Sequence, residues 1–326
     1  YSAALNNFSN IANAITSVSN ALTTVADLQE TVANGFTISL EKALEFAKVY
    51  PEILNNATVA ADGQITLSEG VVNAFISGKE AELKAQIDAK VAELEADKSV
   101  LTAKMEFSKA QLELAKSVGT GEGQISKEVA EYRVNAGNAV AQALIAAGID
   151  EATAYQLACS AMAQNSEEFN RVAAEVCTDV QGNFNQAAYD AAQSIYKNMQ
   201  NSKLSIASVA EQAHQAALAI AGIGSGKVQG SSSVNGGGAG GSSGSKGNIT
   251  VSSGSFKGTS YSYESKTIAL EDFISDLELD ISNYTQAISQ IDGQIAALKA
   301  LRNTSLNKFS TSNKKASSGS KSGSGS

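Results

Sequence analysis

Residues 270–298 read LEDFISDLELDISNYTQAISQIDGQIAAL, and Leu270, Ile274, Leu277, Ile281, Tyr284, Ile288, Ile291, Ile295 and Leu298 fall in them at alternating intervals of four and three. That heptad spacing lines one face of a long helix with apolar side chains, and such a face requires a covering partner. At about 1.5 Å per residue the stripe extends about 42 Å, and each Leu or Ile fully buried along it contributes roughly 1.5–3 kcal/mol. The spacing therefore predicts a helix over 267–309 with an assembly seam along it. The partner is either another part of this chain or another copy.

A second rod precedes it. Asp62-Gly63 forms a turn, Thr66 with Glu69 has the spacing of a capping box, and from there to Gly119 only Gly70 and Gly78 interrupt a Pro-free run. This predicts a helix of about 50 residues, about 75 Å long. Its seam runs through Leu83, Ile87, Val91, Leu94, Leu101, Met105 and Leu112, with Lys98 and Ser108 in line, and Lys/Glu pairs mark the rest as a solvated face.

The other helices follow from periodicity and stop signals. A first helix over 3–33 ends at Asn34-Gly35, and its small uncharged outer residues point to burial among neighbours. Leu40–Val49 stops at Tyr50-Pro51, the chain's single proline. Further helices are expected at 127–147, at 151–163 capped by Asp150, at 166–199 with a bend at Gly182, and at 206–221. Phe169, Val172, Val176, Val180 and Phe184 recur at helical spacing within the third of these. Residues 222–248 are dominated by Gly and Ser and read as a linker or an arm lying on a neighbour. Alternation at Ile249/Val251 and Tyr261/Tyr263 predicts a small hairpin or extended arm over 249–263.

The expected fold class is all-α: an elongated long-helix bundle or intramolecular coiled coil, with a compact helical lobe and a small extended or hairpin insertion. Its segments are N-terminal helices (1–50), the long central helix with flanking turns (51–125), the lobe (126–221), the Gly/Ser tract and arm (222–266), the heptad helix (267–309) and a basic Ser/Gly tail (310–326).

Composition narrows the function. A net charge of -9 argues against a general nucleic-acid partner, and no apolar run reaches the roughly 18 residues of a membrane span. Residues 267–298 carry only acids among their charges and 299–326 only bases, so the last rod is dipolar. Cys159 and Cys177 flank a turn capped by Asn165, which leaves them offset by about 9 Å along antiparallel helices; free buried thiols are expected, with a disulfide the alternative if the turn is longer. His214, the sole histidine, sits among Ala213, Ala216 and Ala217 with no nucleophile or acid nearby in sequence. Thr58 and Ala60 stand where a calcium loop ending at Glu69 needs carboxylates, and Val228 stands where a phosphate loop needs Ser or Thr. No catalytic, cofactor-binding or metal-binding residue is assigned, and no enzymatic activity is expected.

No Trp, one His, one Pro and two Cys, together with abundant Ala, Ser, Asn and Thr and helices at both ends, give a composition that resembles flagellin-type axial proteins. No terminal motif of theirs is matched, so no residue role is carried across. The expected function is a self-assembling structural protein: the subunit of a surface or extracellular filament, sheath or virion-like assembly. Its partners would be other copies, joined through the long helices and the Gly/Ser arm. The alternative is a secreted adhesin or binding module that contacts a protein at a surface. A start at Tyr1 instead of Met is expected to reflect either a removed leader, which would favour export, or a trimmed chain, whereas sequons at Asn7, Asn56, Asn248, Asn283 and Asn303 are no more than chance supplies in so Asn- and Ser-rich a chain.

Overall fold

A computed structural model describes residues 2–33, 35–119, 122–222 and 247–317, excepting the side chains of 2–12, 14 and 304–317. Most of the Gly/Ser tract and the tail past Ser317 lie outside those residues, and the expected seam end at Phe309 is among the excepted side chains. The fold is all-α with a small amount of antiparallel sheet, and the chain divides into two compact units, Tyr1–Ala96 with Gln290–Ser326, and Asp97–Ser289. Two 48-residue helices, α3 (Glu69–Lys116) and α9 (Leu270–Ser317), contribute residues to both.

The first unit begins with α1 (Ser2–Val32), followed by β1 (Thr37–Ile38), α2 (Leu40–Val49), a 3-10 turn over Pro51–Leu54, β2 (Thr58–Val59) and β3 (Ile65–Thr66). The three short strands pair antiparallel in the order β1-β3-β2. Val25 and Leu28 of α1 pack with Ile38, Phe46, Ile53, Leu67 and Val72 in one core. Asn13, Ser17, Asn20 and Thr23 of α1 remain exposed, so this uncharged part of its outer face is not covered by the described residues. Thr66 does not cap α3. It lies in β3 with its hydroxyl 3.1 Å from that of Thr37, and the Ser68 carbonyl accepts the first helical hydrogen bond, from Val72 N. Here β-pairing of a Thr overrides its capping preference.

In the second unit α4 (Lys127–Ala146), α5 (Glu151–Met162), α6 (Ser166–Val176), α7 (Gln186–Met199) and α8 (Ile206–Ala221) surround a core of alanines with Phe169, Leu144, Leu157, Met162 and Ile220. Alanine lets helices approach closely and costs little side-chain entropy. The expected 166–199 helix is in fact α6 and α7. Between them Gly182 takes φ +86°, and the Asp179 carboxylate accepts from Gln181 N and Asn183 N. The Asn183 side-chain amide also donates to that carboxylate, at 3.0 Å, and this bond foremost, with the backbone ones, holds the Asp179 carboxyl below the ordinary carboxylate range. Val180 is consequently 83% exposed and Phe184 47% exposed. Their helical spacing was fortuitous, since the turn residues at 179–183 outcompete propagation of the helix.

Helix starts follow one local rule. Ser39, Ser126, Asp150, Asn185 and Ser205 each accept the backbone N–H three residues on. Each is preceded by an apolar residue (Ile38, Ile125, Ile149, Phe184, Leu204), with another apolar residue five later (Ala43, Ala130, Ala154, Tyr189, Val209). This is the capping-plus-staple arrangement that fixes the angle at which chain enters helix, and the rings of Phe184 and Tyr189 lie 5.4 Å apart.

The stripe of α9 is covered within the chain. Leu277, Ile291, Ile295 and Leu298 are buried, and Leu270, Ile274, Ile281, Tyr284 and Ile288 are half-buried. In the second unit Lys116 of α3 pairs with Glu278 at 2.7 Å, and Phe273 and Leu277 join the core that contains Phe107 and Leu114 of α3. In the first unit Lys299 pairs with Glu95 at 3.1 Å, and Arg302 grips Asp88 with Nε 2.9 Å and Nη2 3.2 Å away. The α3 seam is as expected from Leu83 to Leu94. Beyond that Ser108 is buried as its place in line implies, Leu101, Met105 and Leu112 are half-buried, and Ala103, Phe107, Ala110, Gln111, Leu114 and Ala115 are buried as well, because α5 also covers it: Phe107 meets Tyr155 at 5.3 Å and Lys104 pairs with Glu151 at 2.6 Å.

Leu277→Ala is expected to cost about 2–5 kcal/mol in denaturant unfolding, as a buried large-to-small change. Leu279→Ala, two residues away but 60% exposed, is expected to stay within about 0.5 kcal/mol of the native chain. Equal losses at the two sites would place the stripe on the wrong face.

Candidate assembly surface

Following Gly247, β4 (Asn248–Lys257) and β5 (Ser260–Ala269) form a hairpin whose ladder runs without a bulge from Asn248↔Ala269 to Lys257↔Ser260. It runs to Ala269, beyond the arm expected over 249–263, and α9 starts at Leu270 rather than 267. The part beyond the expected arm, 264–267, is polar and exposed, and it is held by the ladder and by hydroxyl pairs, Thr250 with Thr267 at 3.3 Å and Ser252 with Ser265 at 2.9 Å. Gly258 turns the chain with φ +64°, as the first position of a two-residue hairpin turn requires.

The free edge of β4 is satisfied at Thr250 and at Ser252 N by side chains of a helix. The Asn135 amide donates to Thr250 O at 2.8 Å and its oxygen accepts from Ser252 N at 2.7 Å, while Glu131, one turn earlier on α4, accepts from Thr250 N at 2.7 Å. Asn135 thus takes the place of a third strand. At the hairpin tip Glu211 of α8 accepts from Tyr261 N at 3.3 Å. Tyr261 is buried against Ala139 and Ala210, and Gly254 faces its ring: a Cβ there would lie 2.4 Å from the Tyr261 ring. Phe256 stacks on His214 at 4.7 Å. None of Glu131, Asn135 or Glu211 was recognisable from sequence beyond a pair of polar residues four apart on a helix that otherwise buries alanines. Their partners are backbone N–H groups more than a hundred residues away for α4 and fifty for α8.

The β5 edge differs. Residues 262–267 are all exposed, on both faces of the strand. Beside the tip, Ser194, Asn198, Gln212, Gln215 and Thr259 line an open recess of about 830 Å³ whose single carboxylate, Glu211, already holds Tyr261 N. The two thiols lie apart from this surface. Cys159 is half-buried and Cys177 buried, both free, and burial pushes each up to about 11. Among the described residues no group of three or more His, Cys, Asp or Glu is placed to hold a metal ion, and no helix is long and apolar enough to cross a membrane. Comparison of the chain with protein-family models, curated proteins and solved structures gives no match in any of the three.

Asn135→Ala strands two buried backbone groups of β4, at about 1–3 kcal/mol each. The expected result is a lower unfolding midpoint together with faster amide exchange at Ser252; unchanged exchange there would show that the amide does not hold the strand. His214 is 6% exposed, its Nδ1 has no hydrogen-bond partner among the described residues, and burial lowers its pKa from the ordinary value of 6.5. The folded state therefore favours the neutral ring. Stability is complete above about pH 6.5 and declines as the pH falls toward the lowered folded value, before carboxylates titrate at about 4–4.5. Thermal unfolding of His214→Phe is expected to lack that decline while preserving the stack on Phe256.

Proposed function

We propose that this protein is a structural subunit that associates with copies of itself at a cell surface, outside the cell or in a particle shell, and that it carries out no catalytic step. The observation that carries this reading is the β5 edge, a straight strand exposed over 262–267. Exposed strand edges recruit further strands, because their N–H and C=O groups are an unfilled ladder. The exposed, uncharged face of α1 and the exposed Leu40 and Leu44, one turn apart on α2, add surface suited to a second contact, which an extended assembly needs beyond a single two-fold one. A net charge of -9 fits protein partners better than nucleic acid.

A second reading, an adhesin or binding module acting as a monomer or small oligomer, draws on the amide-lined recess beside the hairpin tip. Asn198, Gln212 and Gln215 there offer hydrogen-bonding groups to a polar ligand. Light scattering and negative-stain microscopy over a range of concentration and salt separate the two. Concentration-dependent oligomers support assembly, and dispersed monomers under every condition reject it.

A further inference from the structure

The β5 edge also specifies what pairs with it, an inference that rests on the assembly reading above. In an antiparallel ladder, alternate residues direct both backbone groups away from the neighbouring strand, and residues facing each other across a non-hydrogen-bonded pair do so together. Thr250 and Ser252 point outward on β4, since Glu131 and Asn135 bond them there. Their partners Thr267 and Ser265 therefore point outward on β5, as do Tyr263 and Tyr261. Glu211 takes Tyr261 N. Tyr263, Ser265 and Thr267 have no outward backbone partner among the described residues.

We propose that two copies of the chain join through these three residues, edge to edge and antiparallel, with Ser265 opposite Ser265 of the second copy. Only this register pairs all three open residues with one another: Tyr263 with Thr267, Ser265 with itself, Thr267 with Tyr263, each pair exchanging both its N–H···O bonds. The same register sets Glu264 opposite Lys266 of the second copy, and by symmetry Lys266 opposite Glu264. Both contacts fall at non-hydrogen-bonded positions, where side chains come closest, and opposite charges there are favourable. Moving the centre to Glu264 or Lys266 would put each of those charges against itself. Both side chains are exposed and neither has an ion-pair partner within the chain among the described residues. Edge strands that resist self-pairing carry Pro, a bulge or charges that repel their own copies. β5 has an unbroken ladder, no Pro, and charges complementary to themselves about a two-fold axis.

The test is a charge swap. Sedimentation equilibrium at low salt is expected to show that Glu264→Lys and Lys266→Glu each weaken self-association by about tenfold, since each turns two attractive contacts repulsive, and that the double variant returns to within about threefold of the native chain. Under mild oxidation Ser265→Cys is expected to form a covalent dimer much faster than Ser255→Cys, exposed on β4. Association unchanged by single reversal, no recovery in the double variant, or equal cross-linking at the two sites would overturn the register while leaving self-assembly intact. A native chain that stays monomeric at every concentration would overturn both.

Discussion

A two-stranded sheet has two outer edges, and the backbone groups along each must find partners or water. In this protein one edge is closed by a helix: Asn135 bonds Thr250 and Ser252 as a neighbouring strand would, with Glu131 beside it. The remainder of the hairpin's placement depends on that contact. It holds β4 along α4, brings Tyr261 onto Ala139 and Ala210, stacks Phe256 on His214, and leaves β5 as the outer strand. Had α4 lain along β5 instead, the exposed edge would carry the residues of β4.

The hairpin also sets where α9 begins. Ala269 closes the ladder opposite Asn248, and Leu270 N donates to Gly247 O at 3.1 Å, so strand passes into helix with no loop between them. The apolar stripe is therefore in register from its first residue, with Phe273 and Leu277 entering the core of the second unit. The sequence places nine seam positions on one helix face. The packing splits them into four buried and five half-buried residues.

Helices were legible because their signals are local. Periodicity places α2 and α8 at the residues observed, and Asp150 and Asn165 cap as their spacing indicates, because a cap needs only the next three residues. Errors arose where two local signals competed or where the partner was distant. Thr66 is drawn into β3 by Thr37, and Val180 and Phe184 keep a helical interval through a segment that the Asp179 turn closes. The hairpin was visible in part, since its exposed stretch 264–267 contains no apolar alternation for a periodicity argument to find.

By itself the sequence determined that the chain is mostly helix, that two long rods carry apolar seams, and where most helices start and stop. Each of those is settled by interactions within about one or two turns of helix. Tertiary structure alone decided that the α9 seam is covered by the same chain and that Asn135 closes one hairpin edge. It also decided that the other edge faces outward with Glu264 and Lys266 on it. Those outcomes depend on which backbone groups meet across more than a hundred residues, and residue spacing along the chain carries no record of that meeting.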